Sequence, residues 1–384
     1  MNVLFVTAYP PVLHMHGGGV RMYHNIRILS CKHSVRVISF VENDEEREML
    51  RSVRAICDSV TAVRRVPDFR PHWLSVLPFL MREFSTPEMH RAVDEALLST
   101  KTHVLQCEYL QMSQFRRKGV FSVLTAHEAL SKNAFEAFSK EPNPTEKLRQ
   151  FYRWMQVLRY EVSESRKFDR VVTMTEEDAQ YLRSYTGTAN IRSIPIGVDP
   201  EEFSPTPEVP DQPLIVLFVG NFRHTPNIEA AHFLVRQVAP RFPEVKFVIP
   251  GSHLPSDLVA GSNVMFPGYI ADTRELYQRP NTIVAAPLFS GTGQRVKLLE
   301  AFSMACPVIT TTIGAMGFPV ESGVQALIAD TLEDFCAGLS SLAASVECRR
   351  RLGAQARKMM LDHFSWDRLA EDFLNVVEEA AASN

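Results

Sequence analysis

The chain has 384 residues, of which 45% are hydrophobic and 22% charged; this composition is typical of a globular protein and excludes a disordered one. The length suggests two domains, because one domain usually spans roughly 100 to 200 residues. The formal net charge of −3 provides no overall attraction to nucleic acid, so we expect no nucleic-acid partner and only local recognition of phosphate.

Short apolar, β-branched segments alternate with helical patterns and predict the strands. The first series is 3–7, 35–41, 60–63, 103–107, 122–126, 170–175 and 191–196. After the proline-rich passage 204–213 the second series is 214–219, 245–249, 264–266, 282–286, 308–312 and 326–329. Continuous apolar strands separated by helices are typical of parallel sheets that are covered on both faces. The sequence therefore predicts an α/β protein with two doubly wound, Rossmann-like domains, 1–200 and 201–364, and a ligand site in a cleft between them.

A glycine triplet, residues 17–19, follows the first predicted strand and leads into a helical pattern. Glycines allow a ligand to approach the backbone closely, and a flexible turn is the alternative. Further along, Glu108 ends the fourth strand, and His127 with Glu128 ends the fifth. Ligands meet parallel sheets at the carboxyl ends of the strands, although a lone histidine is more often structural than catalytic. If these two strands are neighbours, Glu108 and His127 share one edge.

The segment 64–84 mixes four arginines with large apolar side chains, among them Trp73. Basic residues interleaved with apolar ones suit a membrane surface or a lipid-linked acceptor. The three prolines of the segment favour an ordinary packed connection instead. A peripheral contact with the inner face of a membrane is therefore one of two interpretations.

The cysteines and the N-terminal residues indicate the cellular compartment of the protein. The six cysteines are scattered without a CxxC pair or zinc spacing, which is typical of reduced, mostly buried thiols. No apolar run reaches the roughly 18 residues of a membrane-spanning helix, and no charged region precedes the first apolar stretch. These features predict a cytoplasmic protein.

The strongest signal for function is the stretch GTGQRVKLLEAFSMACPVIT. In it Gly291 and Gly293 flank Thr292 directly after a predicted strand, and a helical pattern follows at once. The first turn of a helix has unpaired backbone N–H groups and the positive end of the helix dipole, so a glycine loop there attracts a diphosphate. Lys297 adds a full positive charge, and Glu300 shares its helix face and suits a pair of ribose hydroxyls. The alternative is a turn followed by a solvated helix pair.

Two further segments complete the second half of the chain. The strand 214–219 ends at Gly220, and Arg223 in the following loop would face the same anion as Lys297 if the two strands are neighbours; a surface arginine is the alternative. The final segment, 365–384, predicts an amphipathic helix that begins with a capping serine. The sequence alone does not decide whether this helix packs on its own domain or crosses to the first.

Taken in chain order, the glycine triplet, TAHE, SIPIGVDPEEFSP, LFVGNFRHTPN, VMFPGYIADTRELY and GTGQRVKLLEAFSMACPVITT resemble motifs of the retaining glycosyltransferases of family 4, which have the two-domain GT-B fold. The resemblance covers nearly the whole chain. It implies a hexosyltransferase-type enzyme that moves a sugar from a nucleotide-diphosphate sugar to a polysaccharide, glycolipid or glycoconjugate acceptor. It also implies retention of the anomeric configuration, without a metal ion or another cofactor.

The same resemblance implies roles for individual residues. The catalytic set is His127, Lys297 and Arg223. The donor-binding set is Gly18, Gly19, Gly220, Gly291, Thr292, Gly293, Arg295, Lys297 and Glu300. In these sets Lys297 and Arg223 neutralise the diphosphate, Glu300 binds the ribose and His127 meets the transferring sugar. Glu108 and Glu128 are expected on the acceptor side.

One departure from the family's commoner pattern keeps other functions open. That pattern has a glutamate eight residues before the one that matches Glu300, and this chain has Thr292 there. A subset of the family that pairs GxG with RxK shows the same departure and fits Arg295 and Lys297. A non-catalytic subunit that binds a sugar nucleotide or polysaccharide therefore stays an alternative, as does a GT-B epimerase.

Overall fold

The computed structural model describes residues 1–13, 17–65, 77–205, 213–270, 272–278 and 281–382. Most of the basic and apolar segment 64–84, with Trp73, and most of the proline-rich passage 204–213 lie outside these residues. The chain divides into two compact units, one formed by Met1–Ile196 with Leu369–Asn384 and the other by Gly197–Arg368. Unit 2 is therefore one uninterrupted segment, whereas unit 1 contains both ends of the chain.

Unit 1 is built on a parallel sheet. Its strands are β1 (Asn2–Thr7), β2 (Ser34–Val41), β3 (Ser59–Arg64), β4 (Val104–Glu108), β5 (Phe121–Ala126), β6 (Arg170–Thr173) and β7 (Ile191–Ser193). Among the described residues they form a seven-stranded sheet in the order β3-β2-β1-β4-β5-β6-β7. The chain builds one half of the sheet outward from β1 and then the other half from β4. Ligands of such sheets bind where the strand order reverses, which here lies beyond the ends of β1 and β4.

Helices cover both faces of this sheet. They are α1 (Gly17–Ser30), α2 (Asp44–Met49), α3 (Arg51–Arg54), α4 (Phe79–Arg82), α5 (Pro87–Ser99), α6 (Leu130–Lys140), α7 (Pro144–Ser165) and α8 (Glu176–Thr186). Alternate side chains of β1 enter different cores: Leu4 and Val6 pack on one face, and Val3 and Phe5 on the other. This two-sided burial explains why residues 3–6 of β1 are all apolar instead of alternating with polar residues.

The last helix, α14 (Trp366–Ala382), packs mainly on unit 1. Its apolar face places Phe373 and Val377 in the same core as Val3 and Phe5. On its other side Glu379 pairs with Arg170 and Arg192. The chain thus returns to the first unit at its end, which the sequence left undecided.

Unit 2 repeats the α/β pattern with shorter strands. These are β8 (Ile215–Leu217), β9 (Gly220–Asn221), β10 (Lys246–Val248), β11 (Gly251–Ser252), β12 (Val264–Met265), β13 (Thr282–Ala286), β14 (Val308–Thr310) and β15 (Leu327–Ile328). Within the described part of the unit, six of them form a sheet in the order β12-β10-β8-β13-β14-β15, and β9 pairs with β11. Every pairing in both units is parallel among the described residues.

The helices of unit 2 are α9 (Thr225–Phe233), α10 (Arg274–Tyr277), α11 (Val296–Ser303), α12 (Leu332–Ala344) and α13 (Val346–His363). In the ranges that the structure describes, no helix of either unit combines the length and the apolar character that crossing a bilayer requires. The predicted fold class, two α/β units with parallel sheets, is confirmed.

The cysteines correct one expectation. All six are free thiols, but only Cys107 and Cys306 are buried. Cys31 is exposed, directly after the end of α1, and the others are partly exposed. The expectation of mostly buried thiols is wrong because four of the six lie on the outer side of helices or in the connections between elements.

Candidate functional site

In unit 2, Arg295 shapes the glycine loop between β13 and α11. Its Nη1 donates to the Thr292 carbonyl at 2.6 Å, and its Nη2 donates to the Gly291 carbonyl at 2.8 Å. Gly291 and Gly293 have φ values of 94° and 76°, a conformation that residues with side chains rarely adopt. Arg295 therefore holds the carbonyl groups of its own loop and fixes the backbone that was predicted to bind the donor.

Lys297 lies in the first turn of α11. Its Nζ donates to Asn227 Oδ1 at 2.7 Å and lies 4.3 Å from the centroid of the Phe218 ring. Burial, followed by the nearby charge of Arg295, lowers the pKa of Lys297 to about 7. No preceding turn supplies acceptors for the N–H groups of Val296 and Lys297, which open the helix, whereas the Leu298 N–H donates to the Arg295 carbonyl at 2.9 Å. A cation and a helix N-terminus therefore coincide, which is the arrangement that attracts a phosphate group.

Glu300 follows Lys297 by three residues and lies on the same side of α11. Its Oε2 accepts a hydrogen bond from Thr273 Oγ1 at 3.3 Å, and the Tyr277 hydroxyl lies beside the carboxylate. Burial raises the pKa of Glu300 to about 7, against the lowering effect of these two hydroxyls. The Tyr277 hydroxyl also donates to the Lys297 carbonyl at 3.3 Å. The short helix α10 and the residue before it thus support the Glu300 carboxylate.

Asn227, in α9, holds the Lys297 ammonium in place. Its Nδ2 donates to the Asn221 carbonyl at 2.8 Å while its Oδ1 accepts from Lys297. Gly220 packs closely on it, since a Cβ at residue 220 would lie 3.3 Å from Asn227 Cβ. Arg223 is exposed in the loop before α9, where its backbone N–H donates to Asn221 Oδ1 at 3.0 Å. The predicted second cation therefore lies at the surface of the loop that supports the first.

These groups meet because β8 and β13 are adjacent parallel strands. The segments that follow them, one leading to β9 with Gly220 and the other to α11 with Lys297, lie at the same edge of the second sheet. Asn227, Thr273 and Tyr277 were missed as functional residues, although the motifs LFVGNFRHTPN and VMFPGYIADTRELY contain them. An amide or hydroxyl side chain does not indicate a function by its presence in a sequence. Only its tertiary contacts identify it as part of the site.

In unit 1, Glu108 and His127 form a buried pair at the ends of the adjacent strands β4 and β5. Glu108 Oε2 and His127 Nε2 are 2.8 Å apart. Gln106 Nε2 and Thr125 Oγ1 donate to the other carboxylate oxygen at 3.0 and 3.2 Å. Burial lowers the pKa of His127, against the raising effect of Glu108. The imidazole is therefore neutral at pH 7, and Glu108 as a carboxylate fixes the proton on Nε2.

Tyr109 and Gly18 enclose the His127 ring. The Tyr109 ring stacks on the imidazole with centroids 3.8 Å apart and planes 7° apart. The backbone of Tyr109 has a φ of 77°, which costs about 1–3 kcal/mol in a residue with a side chain. A Cβ at Gly18 would lie 1.8 Å from Tyr109 Oη, and one at Gly19 would lie 2.8 Å from the Val12 carbonyl. Close packing of α1 therefore requires glycine at both positions.

We expect Gly18→Ala to destabilise the protein by about 1–3 kcal/mol, because the added methyl group must displace the Tyr109 ring. Adding Tyr109→Phe removes the oxygen nearest to that methyl group and should recover part of the loss. Urea unfolding of both variants and of Tyr109→Phe alone measures this coupling. Gly261→Ala is the matched control, since the nearest atom to its Cβ lies at 3.7 Å. Equal stability of Gly18→Ala and the wild type would contradict the packing described here.

Glu128 and the helix that follows it are held by Asn133 and by the buried Glu161. Glu128 Oε2 accepts a hydrogen bond from Asn133 Nδ2 at 2.7 Å. The backbone N–H groups of Leu130 and Ser131, in the first turn of α6, each donate to Glu161 at 3.0 Å. Burial raises the pKa of Glu161 to about 7, and these donors oppose the rise. Glu161 of α7 therefore caps α6 and fixes the loop that carries His127 and Glu128.

Arg21 of α1 lies close to the Glu108–His127 pair and was also missed from sequence. Its guanidinium is buried, and its Nη1 donates to the carbonyl groups of Ile194 and Pro195, each at 2.7 Å. Burial lowers the pKa of Arg21 to about 10, and the charge of Glu108 opposes this effect. The positive charge of Arg21 in turn lowers the pKa of His127. It thus helps to keep the imidazole neutral.

Parts of this sequence are similar to a known protein family and to individual proteins. Residues 213–345, about a third of the chain, match the family described as Glycosyl transferases group 1. D-inositol 3-phosphate glycosyltransferase of Nocardiopsis dassonvillei is 27% identical over 307 residues, which cover 70% of this chain and 67% of that protein. Spore coat protein SA of Bacillus subtilis is 26% identical over 187 residues, which cover 43% of this chain and only 48% of that protein.

Solved structures share the fold over the whole chain. Sucrose-phosphate synthase from Thermosynechococcus elongatus is 15% identical, with a TM-score of 0.78 and complete coverage of both chains. HepE from Anabaena, in complex with UDP and glucose, is 15% identical, with a TM-score of 0.73 over 99% of this chain and 100% of that chain. At these identities the similarity shows the fold, which is that of the GT-B glycosyltransferases. The family match and the shared fold together support a GT-B glycosyltransferase.

Proposed function

We propose that the protein is a retaining, hexosyltransferase-type enzyme of family 4 that moves a sugar from a nucleotide-diphosphate sugar to a carbohydrate or lipid-linked acceptor. One observation carries the proposal: Lys297 and Glu300 share one side of α11 beside a glycine loop, and burial brings both pKa values to about 7. A cation and a carboxylate that are both half-buried are costly without ligands. A diphosphate on Lys297 and ribose hydroxyls on Glu300 would satisfy both.

The proposed chemistry follows from where charge develops. The bond between sugar and phosphate breaks as a bond to the acceptor oxygen forms on the same face of the sugar, and the departing phosphate accepts the acceptor's proton. Negative charge then grows on the diphosphate. Asn227 and Arg295 fix Lys297 and its loop beforehand, so these donors stabilise the transition state more than the ground state. We assign Arg223 as the second cation.

On unit 1 we assign His127 to the transferring sugar and Glu128 to the acceptor side. Glu108 is fully buried and accepts hydrogen bonds from three side chains. We therefore assign Glu108 to holding His127 instead of contacting an acceptor itself. In this scheme no protein nucleophile is required.

The test is binding and turnover with a panel of UDP, GDP and ADP sugars. UDP-glucose is the first choice, because a HepE structure contains it. Transfer to an acceptor or hydrolysis of the donor supports the enzyme. Tight binding without turnover supports the sugar-nucleotide-binding subunit, and interconversion of donor sugars supports an epimerase. The absence of binding and turnover would refute all three. Excess EDTA is expected to leave transfer unchanged, since Lys297 and the helix N–H groups supply the positive charge.

We expect the nucleotide sugar to bind most tightly near pH 7. The pKa of Lys297 is lowered to about 7 in the free protein, and a bound diphosphate favours the protonated form, so affinity falls as the pH rises above 7. The pKa of Glu300 is raised to about 7, and ribose hydroxyls favour the carboxylate, so affinity falls as the pH drops below 7. Isothermal titration calorimetry at pH values below and above 7 measures both losses of affinity.

Glu300→Gln separates the two effects. It should abolish the loss of affinity below pH 7 and preserve the loss above it. At about pH 8 the wild type should take up close to one proton on binding, which titrations in buffers of different ionisation enthalpy reveal. A flat pH profile in the wild type would contradict the assignment of these two residues.

A further inference from the structure

A carboxylate of α9 lies beside the glycine loop of unit 2. Glu229 Oε2 accepts a hydrogen bond from the Ser290 hydroxyl at 2.8 Å. Ser290 is buried, whereas Glu229 is half-buried. Because Ser290 directly precedes Gly291, this hydrogen bond fixes the carboxylate at the start of the loop.

One face of α9 runs along the chain toward this loop. The Phe233 ring packs on the Phe289 ring with centroids 5.1 Å apart. Near the start of the helix, Pro226 Cγ lies 3.1 Å from the place that a Cβ on Gly291 would occupy. Glu229 follows Pro226 by three positions and precedes Phe233 by four, so all three share this face. The face that carries Glu229 therefore continues onto the loop itself.

The Glu229 carboxylate has further capacity to accept hydrogen bonds. In the part of the chain that the structure describes, Ser290 is the only side chain that donates to it. An ionised carboxylate has about four acceptor positions, so most of them are available to a ligand. The loop provides no acidic side chain of its own, because residues 289–294 read FSGTGQ. Thr292 occupies the place of the glutamate in the commoner family pattern.

We propose that Glu229 binds hydroxyl groups of the transferring sugar and supplies the carboxylate that the glycine loop lacks. This assignment rests on the proposed function, in which Lys297 and the loop hold the diphosphate and the sugar follows it. A carboxylate makes strong hydrogen bonds to hydroxyl groups, and a site built to accept them discriminates against sugars that lack them. Glu229 therefore contributes to the choice of sugar and not to the choice of nucleotide.

The test compares nucleoside diphosphates with the corresponding sugar nucleotides. UDP, GDP and ADP contain no sugar to transfer, so calorimetry should show that Glu229→Gln binds them as the wild type does. The second probe is the sugar nucleotide that the wild type hydrolyses, with UDP-glucose tried first. Its hydrolysis by Glu229→Gln should fall roughly 10- to 100-fold in kcat/KM, as expected for the loss of a hydrogen bond to a charged group.

Three further variants separate a contact with the sugar from support of the loop. Glu229→Gln/Thr292→Glu returns a carboxylate to the loop and should recover most of the lost hydrolysis. Ser290→Ala removes the hydroxyl that holds the carboxylate and should cost less than Glu229→Gln. Glu333→Gln removes an exposed carboxylate of α12 and is the matched control, which should hydrolyse the donor as the wild type does. Circular dichroism should show all variants folded.

Wild-type hydrolysis by Glu229→Gln would overturn the assignment, and so would weaker binding of the nucleoside diphosphates by this variant. Equal losses in Glu229→Gln and Ser290→Ala, or no recovery in a folded double variant, would show that Glu229 only holds the loop. A wild type that binds UDP, GDP or ADP but loses no hydrolysis on substitution of Glu229 refutes this assignment alone. A wild type that neither binds a nucleotide nor cleaves a sugar nucleotide refutes the proposed function, and the assignment fails with it.

Discussion

Lys297→Ala is expected to lower the rate of sugar transfer by about 100-fold or more, as expected when one fixed electrostatic stabiliser of a leaving group is removed. The effect should appear in kcat, because the lysine acts most strongly on the charge that develops as the sugar leaves. Steady-state rates with a saturating donor measure it. Asn227→Ala should cause a smaller loss, since Lys297 then loses its side-chain acceptor but keeps its charge.

The stability of Lys297→Ala provides an independent check on the environment of Lys297. The pKa of Lys297 is lowered to about 7 in the folded protein, so the unfolded chain binds more protons between pH 7 and the ordinary lysine pKa of 10.5. The lowered pKa of Lys297 thus destabilises the free protein fully below pH 7, and this cost disappears as the pH rises toward 10.5. At pH 7, Lys297→Ala should therefore melt no earlier than the wild type. Lys358→Ala, which removes an exposed lysine of α13, should change neither the rate of sugar transfer nor the melting temperature. Full activity in Lys297→Ala would exclude the residue from the site.

His127→Ala should reduce transfer by about 100-fold or more while nucleotide binding, assigned to unit 2, is retained. It also leaves the Glu108 carboxylate buried without its imidazole partner, which should cost about 1–3 kcal/mol of stability. Calorimetry with the nucleotide separates the two effects, because a misfolded variant would lose binding as well.

Glu108→Gln distinguishes a positioning role from a direct one. It preserves the shape of the side chain but removes the charge that fixes the His127 proton on Nε2. If Glu108 acts through His127, the double variant Glu108→Gln/His127→Ala should transfer no more slowly than His127→Ala alone. Full transfer by His127→Ala with intact nucleotide binding would give the histidine a structural role.

The fold could be predicted largely from the sequence because its strands are buried on both faces. Segments such as 35–41 and 282–286 are mostly apolar and lie between helical patterns, and the structure has strands in both places. The pair of β9 and β11 was missed because Gly220–Asn221 and Gly251–Ser252 contain no apolar side chain. The spacing of Lys297 and Glu300 predicted their common helix face in the same way, since they are three residues apart.

The groups that support these residues could not be predicted in this way. Asn227 lies 70 positions from Lys297, and Glu161 lies 31 positions from the Leu130 N–H that it caps. Such pairs form only when separate elements pack together, and neither member signals the other locally. The left-handed backbone conformation of Tyr109 could not be predicted either. Tyrosine disfavours that conformation, and only the packing around His127 accounts for it.

The first and last residues of unit 2 lie close to each other. Val198 and Ser365 form a bridge, and the Val198 N–H donates to the Phe364 carbonyl at 2.8 Å. A segment whose ends lie side by side can be exchanged as a cassette without rerouting the rest of the chain. Under the proposed function this cassette carries the donor site, and the remainder carries the acceptor side. Recombination at these two points could therefore give such an enzyme a new sugar donor while its acceptor stays the same.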